Sequence, residues 1–269
     1  MGQHIALVGA FLSLLSCTGT TGYKLVSFYA AAQGPSDAQP GYTFTNDRGY
    51  HVSLSRAVIH IGAMYLDESV PTSGAAEGTC TLPGTYVGEV LGGRDVDMLD
   101  PGIQPFPVAG DGSTIPAAVG QVWLSGPDVT ASGQTAPQSI LPDILDIAGT
   151  ATKDGTTIQF AGAISIEPGK GTPNRVLPGS NPICEQRIVG KIIVHITLSQ
   201  SGTLILHLDP KVLFTNVDFS GLPQSSSDPT LFAFFKNGDS NSDQPTRNLY
   251  SNLRGSGDVY RFEWQPAQK

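Results

Sequence analysis

The sequence predicts an all-β protein: a single antiparallel β-sandwich, immunoglobulin-like or of a similar Greek-key type, with long Gly/Pro-rich loops and a cleaved signal peptide before it. Three observations predict it. Short apolar runs alternate with period two, as strands with one buried face do. Helical periodicity is nearly absent, the best stretch being a turn or two from Gln138 to Leu145. Charged residues make up 14% of the chain, against a usual figure of about 25%, while 32 glycines and 20 prolines supply turns. Aromatic and aliphatic residues are too frequent for disorder, and the chain is long enough to bury one large core.

Taken in order, the chain begins with Ile5 to Ser16, an apolar run too short to span a bilayer but of the length of a signal-peptide core. Leu14-Leu15-Ser16-Cys17 resembles the lipobox of bacterial lipoproteins, in which a small residue precedes a cysteine that is acylated and becomes the mature N-terminus. The segment before it carries no Lys or Arg, so a plain cleaved signal and a buried N-terminal helix stay open beside the lipoprotein reading. Residues 1–16 are assigned to the signal peptide, 17–41 to a lipidated N-terminus and tether, and 42–269 to the sandwich. Tyr23 to Ala32 is either a first strand or part of the tether.

The sandwich opens with a hairpin: Tyr42 to Asn46 is β-prone, Asp47-Arg48-Gly49 supplies a turn, and Tyr50 starts the return. The return strand alternates cleanly at first and becomes apolar on both faces towards Leu66. A strand passing from a one-sided sheet into a two-sided core reads this way, as do two strands joined at a bulge. Residues 67–118 read as a long Gly/Pro/Ser/Thr-rich loop with short β-prone pieces at Thr85 to Leu91 and Val96 to Leu99. Strands follow at Val119 to Leu124, Asp146 to Thr152 and Thr156 to Ile166, the last two joined by Lys153-Asp154-Gly155. The strongest hairpin reads as Arg187 to Ser199, a Gln-Ser-Gly turn and Thr203 to Leu208. Beyond it the chain is aromatic and loop-like, and ends in a strand from Val259 to Trp264.

Function is constrained first by charge. Residues 1–16 hold no charged side chain, so the mature chain keeps the net charge of −8. Nucleic acid and anionic head groups are thereby disfavoured, leaving acyl chains on Cys17 as the evident membrane contact. In an exported chain the remaining Cys80 and Cys184 suggest one disulfide, for which chain-entropy models give roughly 4 to 5 kcal/mol; two unpaired buried thiols are the alternative. If the Gln200-Ser201-Gly202 loop has three residues, His195 lies opposite His207, with imidazoles close enough to share a soft or borderline metal ion such as copper. A two-residue loop shifts that register, and two packed histidines are the plainer alternative. His60 and His51 are further candidate donors, while Met64, four residues from His60, is read as core. Asp239, Asn241 and Asp243 place oxygen donors at alternate positions, as at the start of a calcium loop. Gln244 and Tyr250 then stand where that pattern needs Gly and Glu, so a solvated loop is the alternative. No serine lies in G-x-S-x-G and no H-E-x-x-H occurs, and the chain is read as a binding protein, not an enzyme.

Four segments carry a resemblance: Phe44 to Ala57, Val96 to Leu99, Ala148 to Gly155, and Leu208 to Phe219. Together they resemble the MbnP-like family of exported β-sandwich proteins, which includes copper-binding proteins of methanotrophs and many lipoproteins. Over residues 42–264 that resemblance implies a sandwich, a copper site built from histidines, in some members beside a tryptophan oxidised to kynurenine, and a haem peroxidase-like partner. This sequence offers His51, His60, His195 and His207 with Trp123 and Trp264, but has no H-x-H or W-x-H. The expected function is therefore lipid-anchored, non-catalytic binding outside the cytoplasm, at the outer membrane or cell surface. The ligand is copper, or a glycan or protein partner recognised through residues 67–118 and the aromatic C-terminal segment; a structural lipoprotein without a small ligand is the further alternative.

Overall fold

The first hairpin forms as its residues dictate. Strands β2 (Tyr42–Thr45) and β3 (His51–Asp67) pair antiparallel, Thr45 opposite His51 and Phe44 opposite Val52. Gly49 takes φ 81°, a conformation that glycine adopts without a Cβ penalty. Asn46 fixes the turn from inside: its Oδ1 accepts from the amides of Arg48 and Tyr50, each at 3.0 Å. Its Nδ2 donates to the carbonyls of Phe214 and Val217, 168 and 171 residues away. The computed structural model describes residues 23–39, 41–69, 85–124, 144–164, 187–234, 243–255 and 258–267.

The long strand β3 is continuous, with irregularities between Leu54 and Arg56 and between Ile61 and Ala63. Its first half lies between β2 and β8 (Leu145–Lys153) and buries one face. Its second half lies between β4 (Tyr86–Asp97) and β7 (Pro116–Trp123) and is buried on both. The change from alternating to continuously apolar sequence thus marks a change of neighbours within one strand. Strand β9 (Thr156–Ile164) returns from β8 through Asp154 and Gly155, both in the left-handed region at φ 50° and 76°.

Two expectations are corrected. The segment 67–118, expected as loop, contains β4, β5 (Gln104–Pro105), β6 (Gly110–Ser113) and the start of β7, besides residues outside the described set. The sheet, expected to be antiparallel, is mixed. Strand β1 (Leu25–Gln33) runs parallel to β11 (Thr203–Leu208), and β12 (Phe232–Ala233) runs parallel to β9. The ladder runs β12-β9-β8-β3-β4-β6-β1-β11-β13, where β13 is Tyr260–Gln265, and does not close on itself; β2, β5, β7 and β10 (Arg187–Thr197) attach beside this path. Tyr23 to Ala32, left open as strand or tether, supplies most of β1.

The expected β10–β11 hairpin is also corrected. Both strands exist, but β10 pairs with β7, while β11 lies between β1 and β13. The Gln-Ser-Gly connection does turn, with Gly202 N donating to Ser199 O at 3.4 Å, but it delivers β11 to β1 and not to β10: Ser201 N donates to Ser27 O at 2.9 Å and Tyr29 N to Gly202 O at 2.8 Å. Gly202 answers packing more than turn geometry, since a Cβ there would stand 2.2 Å from the Trp264 ring.

Sequence periodicity missed the helices. Asp209 caps α1 (Pro210–Leu213), and Asp243 caps α2 (Gln244–Arg254), accepting from Thr246 N at 2.8 Å. Asp243 is therefore a cap; Asp239 and Asn241 of the expected calcium loop lie outside the described residues. A proline at the start, with Leu249 and Leu253 four apart on the buried face, was the readable signal. At Gln138 to Leu145, Leu145 opens β8 and residues 138–143 lie outside the described set. Among the described residues, no helix is long and apolar enough to cross a membrane.

Candidate functional site

Parallel pairing of β1 with β11, and antiparallel pairing of β11 with β13, sets Gln33, His207 and Arg261 side by side across three strands. Residues opposite one another in a sheet project to the same face, so an amide, an imidazole and a guanidinium form one polar row. His207 Nε2 lies 2.8 Å from Glu263 Oε2, and Arg261 Nη1 lies 3.9 Å from the same oxygen. The Gln265 amide, then His207, hold the Glu263 carboxyl below its usual range.

This row forms one wall of an open cleft of about 820 Å³, which the Gly34–Asp37 turn and Ile192 and Ile193 of β10 complete. The turn is placed by Gly34, whose amide donates to Asp100 O at 3.0 Å and where a Cβ would stand 2.3 Å from Met98 O. At the far end Asp209 accepts from Lys211 Nζ at 3.1 Å, a bond that raises the lysine further above its ordinary value. Asp37, Asp209 and Asp258 also line the space. Beneath it Tyr260 is buried and donates to Leu253 O at 3.0 Å; burial pushes its hydroxyl well above the ordinary range, so it is neutral.

A second polar group lies on the outer face of β3. Asp67 and Gln121 are fully or nearly fully buried, and Gln121 Nε2 donates to Asp67 Oδ2 at 2.7 Å. Asp67 Oδ1, Gln121 Oε1 and Trp123 Nε1 have no partner. Burial pushes the Asp67 carboxyl up to about 6, against the opposing effect of the Gln121 bond.

The expected histidine pair does not form. His195 is exposed on β10, and His207 faces Glu263 on β13. His60 places Nδ1 2.7 Å from Asp95 Oδ1, and its Nε2 is buried without a partner. His51 is exposed at the start of β3, between Thr45 and Thr152. Among the described residues, no three His, Cys, Asp or Glu side chains are grouped to hold a metal ion. His207 Nε2 is engaged by Glu263 at 2.8 Å. Cys17, Cys80 and Cys184 lie outside the described residues. Met64 is buried in the core as expected.

No family model matches the sequence, and no curated protein matches it. Among solved structures the chain is similar to MbnP from Methylosinus trichosporium, at 8% identity and a TM-score of 0.40, over 90% of this chain and 99% of that one. This likeness is distant, and it transfers neither a site nor a ligand.

The row Gln33–His207–Arg261 was not readable locally, because Gln33 and His207 meet through a parallel pairing of distant segments. The strand that supplies Arg261 was legible. Arg261, Glu263 and Gln265 alternate with Tyr260, Phe262 and Trp264, the pattern of a strand with one polar face.

Proposed function

We infer that this protein is an exported, lipid-anchored binding protein that presents the His207 cleft to a glycan, without a catalytic step. One observation carries the reading: the cleft combines a row of polar groups with the exposed apolar side chain of Ile193 at a volume of about 820 Å³. Small-ligand sites are concave, hold a few placed polar groups and commonly enclose about 300 to 1,000 Å³. A sugar ring offers hydroxyls to the amide, imidazole, guanidinium and carboxylates and a C–H face to isoleucine. Three carboxylates facing one arginine disfavour a simple anion. Export and anchoring rest on the Leu14-Leu15-Ser16-Cys17 sequence.

A glycan array probed with the full-length protein in detergent tests the ligand class. Hits that weaken at least tenfold in Arg261→Ala and His207→Ala support the reading. Absence of hits, or hits indifferent to both changes, overturns it. Mass spectrometry tests the anchor: a mature N-terminus at Cys17 carrying acyl chains is expected, and an intact Met1 removes that part.

A further inference from the structure

Strand β1 is the first described strand after Cys17, and its outward face is unusual. Val26, Phe28 and Ala30 point into the core, at 5%, 2% and 4% exposure. The solvent face of such a strand ordinarily carries polar side chains. Here it carries Leu25 at 82% exposure and Tyr29 at 63%, and Tyr23 just before the strand is 58% exposed. These are three of the six large apolar side chains exposed among the described residues, and they fall within seven positions of one another.

We propose that the Tyr23–Leu25–Tyr29 stripe is a membrane-contact surface, seated in the interfacial layer of the bilayer that holds the lipidated Cys17. The proposal rests on the anchoring reading above. Chain length argues for this occupant. Leu25 is eight residues from Cys17, so even a fully extended chain holds it within about 29 Å of the acylated cysteine. Side-chain chemistry agrees. Tyrosine favours the water–lipid boundary, where its ring is buried and its hydroxyl stays wet, and leucine inserts among the first acyl carbons. The register partners also suit it: Ser113 stands opposite Leu25 and Thr203 opposite Tyr29, both uncharged. Asp111, opposite the intervening Ser27, is the one carboxylate among these partners, and Lys24 lies next to Leu25 in the chain. Glu89 of β4 stands opposite Asp111, so the carboxylates on this side are gathered in that one row, while Leu25 and Tyr29 and their own partners are uncharged.

The contact makes the anchor two-point. A single acylated residue leaves a domain free to swing, whereas an apolar strand face next to the anchor sets its orientation and determines which way the His207 cleft opens.

The test uses the full-length protein reconstituted into phosphatidylcholine vesicles, with and without brominated acyl chains. Leu25→Trp and Tyr29→Trp each add a reporter on the stripe. Thr156→Trp adds one on the exposed β8–β9 turn, five strands along the ladder and roughly 24 Å away at about 4.8 Å per strand. Relative to the unmodified protein, the emission added at 25 and 29 is expected to shift to the blue and to fall at least twofold in brominated lipid, with no change for the reporter at 156. Mass spectrometry of the same sample separates the failures. Acylated Cys17 with unquenched reporters at 25 and 29 overturns the contact and leaves the anchor standing, whereas unmodified Cys17 overturns both. Blue-shifted emission that brominated lipid does not quench places a second copy on the stripe and overturns the proposal.

Discussion

The two faces of β3 follow opposite rules. Inward, Leu54, Ile59, Ile61, Met64 and Leu66 are at most 1% exposed. They belong to a core that includes a set of rings, with Phe160 4.9 Å from Phe219, Phe214 6.0 Å from Phe219, and Tyr50 5.3 Å from Phe219. Outward, Ala63 and Tyr65 pack with Trp123 in a separate small cluster beside Asp67 and Gln121, and His60 stands further along the strand. Among the described residues, four of the five buried side-chain atoms without a hydrogen-bond partner belong to His60, Asp67, Gln121 and Trp123. The inner face is stabilised by area and dispersion, while the outer face carries desolvated polar atoms that cost stability. A strand this long supports the second only because the first is well packed.

The sharpest way to break that contrast is to empty the inner face. Phe219 touches four rings, and Phe219→Ala is expected to cost about 3 to 5 kcal/mol, measured by denaturant unfolding. A loss below about 1 kcal/mol would mean that the ring cluster does not hold the fold. Asn46→Ala comes next. It removes four hydrogen bonds and leaves the Phe214 and Val217 carbonyls without the Asn46 donor, at about 2 to 4 kcal/mol. Because these bonds tie the first hairpin to residues 214–217, proteolysis is expected to cut that segment before the β8–β9 hairpin.

On the outer face the signature is pH. The Asp67 carboxyl sits at about 6 in the folded protein against an ordinary 3.8, so between these values the folded state holds a proton that the unfolded state has released. Its contribution to stability is complete below about 3.8, declines as pH rises towards 6, and is flat above. The decline amounts to roughly 2 to 3 kcal/mol. A proton on Asp67 also supplies the kind of donor that Gln121 Oε1 lacks. Asp67→Asn keeps an acceptor for Gln121 Nε2 and adds a donor, so it should abolish this slope and raise stability at pH 7 by about 2 kcal/mol. Urea melts from pH 4 to 8 check it, and an unchanged slope would assign the effect elsewhere.

What the sequence made legible follows the range of the forces involved. Both short hairpins were readable because Asp47-Arg48-Gly49 and Lys153-Asp154-Gly155 decide their geometry within a few residues. The limits of β10 and β11 were readable for the same reason, from alternation and a glycine. Their pairing was not, because β11 is sealed between β1 and β13, and Gly202 makes room for Trp264, a residue sixty-two positions on. The facing of His195 and His207 depended on that pairing and goes with it. His207 does line the cleft, but beside Gln33 and Arg261 and without His195. Asp243 was noticed as an oxygen donor, yet its neighbours Gln244 and Pro245 marked a helix start.

The smallest expected effect is the most discriminating. Trp123 is 4% exposed and packs 4.6 Å from Tyr65, so by area alone Trp123→Phe should destabilise by more than about 1 kcal/mol. Its buried Nε1 donates to nothing, however, and an unmade bond of that kind costs about 1 to 3 kcal/mol. Phenylalanine keeps a ring against Tyr65 and removes the donor, so the two effects offset and the net change should stay within about 1 kcal/mol of zero. A loss of 3 kcal/mol would show that the indole N–H is satisfied in solution and that the outer face is no costlier than the core. The comparison variant is Phe160→Leu, a ring change on the inner face with no polar atom to relieve; it should cost more than Trp123→Phe by calorimetry.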